Sequence, residues 1–129
     1  MLAIDTNVVV RYLAGDHPEQ SRKAKVLIDS EDIFICTTVL LETEWVLRSV
    51  YGLTAIDAAK ALTAFAGLEG VTLEDAPAIA KALDWVSQGM DFADALHLAK
   101  AESCDAMVTF DRQFAKIASK LSAIEIRSL

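Results

Sequence analysis

Long apolar runs are missing: no stretch of the chain approaches the ~20 consecutive residues that a membrane-spanning helix needs, so no association with a membrane is expected. Cysteine is scarce as well. Cys36 and Cys104 are the only two, they lack Cys-x-x-Cys spacing, and both fall in apolar stretches, which predicts buried, reduced thiols rather than a disulfide framework. No cysteine–histidine set has the spacing of a zinc site, no glycine-rich phosphate loop is present, and no Gly-x-Ser-x-Gly nucleophile elbow occurs. Internal repeats, low-complexity tracts and linker-like segments are also lacking, which argues against a solenoid and a disordered tail. The opening Met1-Leu2-Ala3-Ile4-Asp5 places an acid before any base and offers no small-residue cleavage site; unlike a secretory signal, it leads us to expect a cytoplasmic protein. Basic residues are outnumbered by acids, 12 to 19, for a formal net charge of −7. Nucleic-acid binding normally leaves a basic footprint, so composition alone speaks against such a partner.

What is present suits one compact domain spanning residues 1–129, with 53% hydrophobic side chains available for its core. Short apolar or β-branched runs alternate with longer segments of helical period, which predicts an α/β fold with a short, mainly parallel sheet. Expected strands are Leu2–Ile4, Ile33–Cys36, Val71–Leu73, Ala106–Thr109 and Ile124–Ile126. Expected helices are Thr6–Ala14, Pro18–Ser30, Val39–Tyr51, Thr54–Ala66, Pro77–Gln88, Phe92–Ser103 and Arg112–Lys120. Gly15-Asp16-His17-Pro18 separates two helices, with His17 expected to be exposed, Gly67 to Gly70 leads into a strand, and Asp75-Ala76-Pro77 marks a helix start.

The chemistry-bearing candidates are acids at element boundaries. Asp5 directly follows the first strand, at the carboxyl-end position where parallel α/β sheets build their sites. Asp111 repeats the arrangement after Met107-Val108-Thr109-Phe110. For both, the plainer reading is an ordinary helix N-cap. Asp91 and Asp94 lie three apart and share one face of a helix start, where the plainer readings are an N-cap for Asp91 and, with less force, a favourable first-turn acid for Asp94. His97, one turn on, is placed where it could touch the site, though its plainer reading is a packed, hydrogen-bonded residue.

Glu42 borders the helical face of Val39, Val46 and Val50 and is expected to point inward. Thr38 precedes it by four residues, one too many for a capping box, which leaves the helix dipole as its plainer role. Glu44 falls on the opposite side with Arg48 four residues on, the spacing of a solvent-exposed ion pair. Carboxylates gathered together would raise each other's pKa unless a cation neutralised them, and hard oxygen donors of this kind suit Mg2+ or Mn2+.

Four segments in this order, Ile4-Asp5-Thr6-Asn7, Thr38-Val39-Leu40-Leu41-Glu42, Asp91-Phe92-Ala93-Asp94-Ala95-Leu96-His97-Leu98-Ala99 and Val108-Thr109-Phe110-Asp111-Arg112, make nearly the whole chain resemble PIN-domain proteins of the VapC toxin type, the ribonuclease half of bacterial toxin–antitoxin pairs. The resemblance implies an α/β/α sandwich on a short parallel sheet and an acidic catalytic quartet of Asp5, Glu42, Asp94 and Asp111, with Asp5 and Asp94 as metal ligands and Asp91 as an ambiguous member. It further implies an RNA substrate, a homodimer, and a small antitoxin protein whose tail covers the active site. If the quartet holds metal, the rest of the surface is far less acidic than the net charge suggests. Thr6, Asn7 and Thr109 stand close enough in sequence to orient ligands or water. Arg11, Arg48, Arg112 and Lys116 are candidate phosphate contacts, against the plainer reading of solvated helix charges. Whether one or two ions bind stays open.

Two other readings compete. A phospho-receiver module has a similar length, a doubly wound sheet and an acidic Mg2+ pocket, but wants an Asp after its central strand and a Lys after its last. This chain has Leu73-Glu74-Asp75 and Arg127 there. A catalytically inactive relative that only binds RNA or protein would keep the fold without turnover.

Overall fold

The computed structural model describes residues 1–129 and divides into two compact units, Met1–Ala76 and Pro77–Leu129. The first runs β1 (Leu2–Ala3), α1 (Thr6–Ala14), α2 (Pro18–Ser30), β2 (Ile33–Ile35), α3 (Thr37–Ser49), α4 (Ala55–Ala66) and β3 (Val71–Leu73). Its three strands pair in the order β1-β2-β3, all parallel, with Leu2 opposite Ile33 and Ile33 opposite Val71. Parallel strands need helical crossovers, and the alternation of the sequence supplies them. Ile33 and Ile35 of the central strand are fully buried, as are Leu40, Ala58 and Leu62 of the helices.

The second unit holds α5 (Ala76–Ser87, whose first residue ends the first unit), α6 (Phe92–Lys100), β4 (Ala106–Thr109), α7 (Arg112–Leu121) and β5 (Glu125–Ser128). Its two strands are again parallel, from Ala106 opposite Glu125 to Thr109 opposite Ser128. Phe92, Ala95 and Leu98 of α6 and Ala118 of α7 are buried. Every strand pairing in the chain is thus parallel, and the fold class is the α/β one expected.

Local chemistry fixes most element starts. Asp5, Thr54, Asp91 and Asp111 each accept a backbone N–H from the first turn that follows, and His17 does so through Nδ1 before Pro18. At the other end of α1, Gly15 turns the chain in the left-handed region (φ 65°), where its N–H closes on the Arg11 carbonyl.

Several expectations are corrected. The inward face of α3 is Leu40, Thr43, Glu44 and Leu47, at spacings of three and four; Val50 is 67% exposed, and Glu42 is exposed too. The face that the valines predict is therefore the wrong one. Glu44, expected on the surface, is 2% exposed and is held by Arg48 at 2.7 and 3.0 Å, so the ion pair exists but is largely buried. Cys36 is half-buried just before α3, and Cys104 is exposed in the turn after α6; both are free thiols, and neither is a core residue. That turn also ends α6 at Lys100 rather than Ser103. No helix is long and apolar enough to cross a membrane.

Candidate active site

In the first unit the carboxyl ends of the parallel strands carry the polar residues. Asp5 stands just past β1, exposed, with Oδ1 accepting the Val8 amide at 3.2 Å to cap α1. Its other carboxylate oxygen accepts nothing from the protein. Thr6, the first residue of α1, is buried and donates its hydroxyl to Glu42 Oε1. Glu42 itself reaches solvent one turn into α3, so this bond ties the site end of α1 to that of α3. Asn7 follows on α1, exposed.

The start of α3 is capped from a distance. Cys36 offers no side-chain cap, and Glu74, directly after β3, accepts the Thr37 amide at 2.9 Å instead. In the sequence Glu74 stands out only as part of Leu73-Glu74-Asp75, within the phospho-receiver reading. The signal for it was its position, the first residue past a parallel strand, the same one that singled out Asp5.

The second unit gathers three acids. Asp91 Oδ2 caps α6 by accepting the Asp94 amide at 3.2 Å, and Asp94 sits half-buried in that first turn. Asp111, past the end of β4, caps α7 by accepting the Phe114 amide at 3.0 Å, while its own amide donates to Thr109 Oγ1 at 2.9 Å. Asp94 accepts no hydrogen bond from the protein. Burial pushes its carboxyl above the ordinary carboxylate range; the charge of Asp91 pushes it further, His97 opposes the rise, and Asp111 adds to it. His97 is exposed and acts on Asp94 through charge, which corrects its reading as a packed residue.

The plainer readings of Asp5, Asp91 and Asp111 as helix caps are thus realised, and they do not exhaust these groups. A cap uses one oxygen of a carboxylate and places the other at a helix N-terminus. The donors are all hard oxygens with no thiolate among them, which fits Mg2+ or Mn2+ and not a soft-metal site. In neither unit do three or more His, Cys, Asp or Glu side chains stand close enough to hold an ion by themselves. Of the candidate phosphate contacts, Arg11 is engaged with Gln20 at 2.7 Å and Asp16 at 3.6 Å, and Arg48 with Glu44. Arg112 and Lys116 are exposed and make no ion pair.

Both units are parallel α/β, and an acid caps the helix that follows β1 and the one that follows β4. The family model for the PIN domain matches residues 2–120, and the chain belongs to the PIN-domain family. PIN domains are in general nucleases that act on nucleic acid with divalent metal ions. Comparison with curated proteins and with solved structures gives no match.

Proposed function

We propose that this chain is a metal-dependent endoribonuclease, a single catalytic domain over its whole length, whose catalytic acids are Asp5, Glu42, Asp94 and Asp111, with Asp5 and Asp94 the firmest ligands of Mg2+ or Mn2+. The observation that carries the reading is Asp94: half-buried, without a hydrogen-bond donor, and faced by the negative charges of Asp91 and Asp111. A protein that needed Asp94 only for its fold would gain from an amide there. When bound, a divalent ion lowers the pKa of water and stabilises charge on the phosphate oxygens. The chain's own residues supply the frame: Thr6 orients Glu42 through its hydroxyl, Thr109 holds the backbone at Asp111, and the three capping acids are fixed by their helices. Asp91 and Asn7 support that frame.

Because a cation relieves repulsion that exists only in the native state, Mg2+ or Mn2+ is expected to raise the melting temperature. At a free concentration one hundred times Kd the gain is about 2.7 kcal/mol. Differential scanning calorimetry with and without a chelator measures it, and a scan indifferent to millimolar Mn2+ counts against the metal site.

We further propose that the protein is the toxin of a type II toxin–antitoxin pair, cytoplasmic and homodimeric, restrained by an antitoxin protein. The resemblance of its four ordered segments to VapC-type toxins supports this. Expression alone is expected to arrest growth of a bacterial host, and co-expression of the reading frame beside its gene to relieve the arrest. Normal growth with abundant folded protein would favour the inactive, binding-only relative.

A further inference from the structure

Charge is distributed unevenly in this acidic chain. Helix α7 contains no acid, and its three cations, Arg112, Lys116 and Lys120, recur every fourth residue, are all exposed and form no ion pair. Four-residue steps rotate each by only 40° from the last and advance about 6 Å along the axis, so the three make one stripe. It lies opposite the buried face of Phe114, Ala115 and Ala118. Lys23, Lys25 and Lys81, by contrast, each have a carboxylate partner.

At the head of the stripe stands Phe110. It is 80% exposed, more than the terminal Met1 at 74% and Leu129 at 75%, although it lies inside a well-tied segment. The Thr109 carbonyl before it accepts the Leu129 amide at 2.9 Å, and Asp111 after it is tied at both its amide and its carboxylate. A large apolar ring held out by a fixed backbone, beside a cationic stripe and next to a proposed catalytic acid, matches how proteins hold single strands: cations follow the phosphates while an aromatic face stacks on a base.

We propose that α7 is the strand-binding track of the enzyme, with the RNA backbone along Arg112, Lys116 and Lys120 and a base next to the scissile phosphate stacked on Phe110. The proposal rests on the nuclease reading for its choice of RNA, and its test separates the two. In an Asp94→Asn background, which prevents cleavage, binding of a fluorescein-labelled single-stranded oligoribonucleotide is followed by anisotropy over a range of salt. The combined change Arg112→Gln, Lys116→Gln, Lys120→Gln is expected to reduce the slope of log K against log salt by about 2, at about 0.7 per phosphate contact. Phe110→Ala is expected to weaken binding about five- to 150-fold with the slope unchanged, and Phe110→Trp to retain it. Melting curves confirm that these exposed positions leave the fold intact. Unaltered affinity and slope in the variants, equal loss in Phe110→Ala and Phe110→Trp, or no binding by the background protein would overturn the track. RNA cleavage is measured in parallel with Asp94 intact. Metal-dependent cleavage that survives loss of all four side chains sinks the track and leaves the nuclease standing, while track-dependent binding without any cleavage does the reverse.

Discussion

Asp94→Asn is expected to reduce RNA cleavage by more than about a hundredfold and, in the absence of metal, to leave the melting temperature equal to or above that of the parent. The activity estimate follows from the cost of lesser changes: losing a group that merely orients a metal ligand costs about 10–100-fold, and losing the ligand's charge exceeds that. The stability estimate follows from the sign of the pKa shift. A carboxyl whose native pKa is raised binds its proton more tightly folded than unfolded, so ionisation above that value works against the fold. Burial and the charges of Asp91 and Asp111 are the causes at Asp94, with His97 a partial offset. Asparagine removes the charge and keeps the shape. Adding Mn2+ should reverse the order, because only the parent gains stability from it. Cleavage assays and melting curves, each with and without Mn2+, check all four values; a variant that cleaves normally removes Asp94 from the site.

Arg48→Met is expected to destabilise the fold severely, by about 3–5 kcal/mol. Glu44 is 2% exposed and its two oxygens are met by Arg48, so removing the guanidinium strands a buried charge. Glu44→Gln should cost less, about 1–3 kcal/mol, since the Arg48 side chain is 33% exposed and can turn to water. Neither value is that of a surface pair, which contributes about 0.3–0.5 kcal/mol on a helix. The double variant Glu44→Leu, Arg48→Met should recover part of the loss, as apolar replacement of buried pairs often does. Urea unfolding of the three proteins decides it, and a change below about 1 kcal/mol in Arg48→Met would mean that Glu44 is not buried in solution.

These two sites differ in how much of them could be read from the chain. Asp5, Asp91 and Asp111 were legible because a cap is a local device: a short acid at the boundary of two hydrophobic periods has few other uses, and each proves to accept an amide three residues on. The strands Val71–Leu73 and Ala106–Thr109 were legible for a similar reason, being β-branched or apolar runs bounded by turn-forming residues. Face assignment on α3 failed because burial is a tertiary property. Its inward face includes Thr43 and Glu44, whose polarity is satisfied by the Val39 carbonyl and by Arg48, while Trp45 and Val50 point to water. The i,i+4 pairing of Glu44 with Arg48 was correct; the same letters describe a buried pair and an exposed one. Cys104 and His97 were misread as interior for the converse reason, since apolar neighbours in sequence do not bury a residue that lies in a turn or on the outer face of a helix.

The Thr6–Glu42 bond could not have been read from sequence at all, because it joins residues 36 apart through a hydroxyl that would serve equally well in a cap. It does keep Glu42 at the strand-end side of its unit even though the wheel argument that favoured it was wrong. Glu74 was weighed only as part of Leu73-Glu74-Asp75 in the phospho-receiver reading, because it lies in a short turn segment with no helical period to mark it.

The claim that Asp5 and Asp94 are both needed for metal-dependent cleavage is tested most directly by a double-mutant cycle. Single-stranded RNA is incubated with the parent, Asp5→Asn, Asp94→Asn and the double variant over a range of Mn2+ concentrations. Groups that act as a unit are not additive: loss of either should cost nearly as much as loss of both. The account therefore expects cleavage by the parent that a chelator abolishes, and equally low activity in all three variants. Cleavage that persists in chelator, or losses from Asp5→Asn and Asp94→Asn that simply multiply in the double variant, would contradict it.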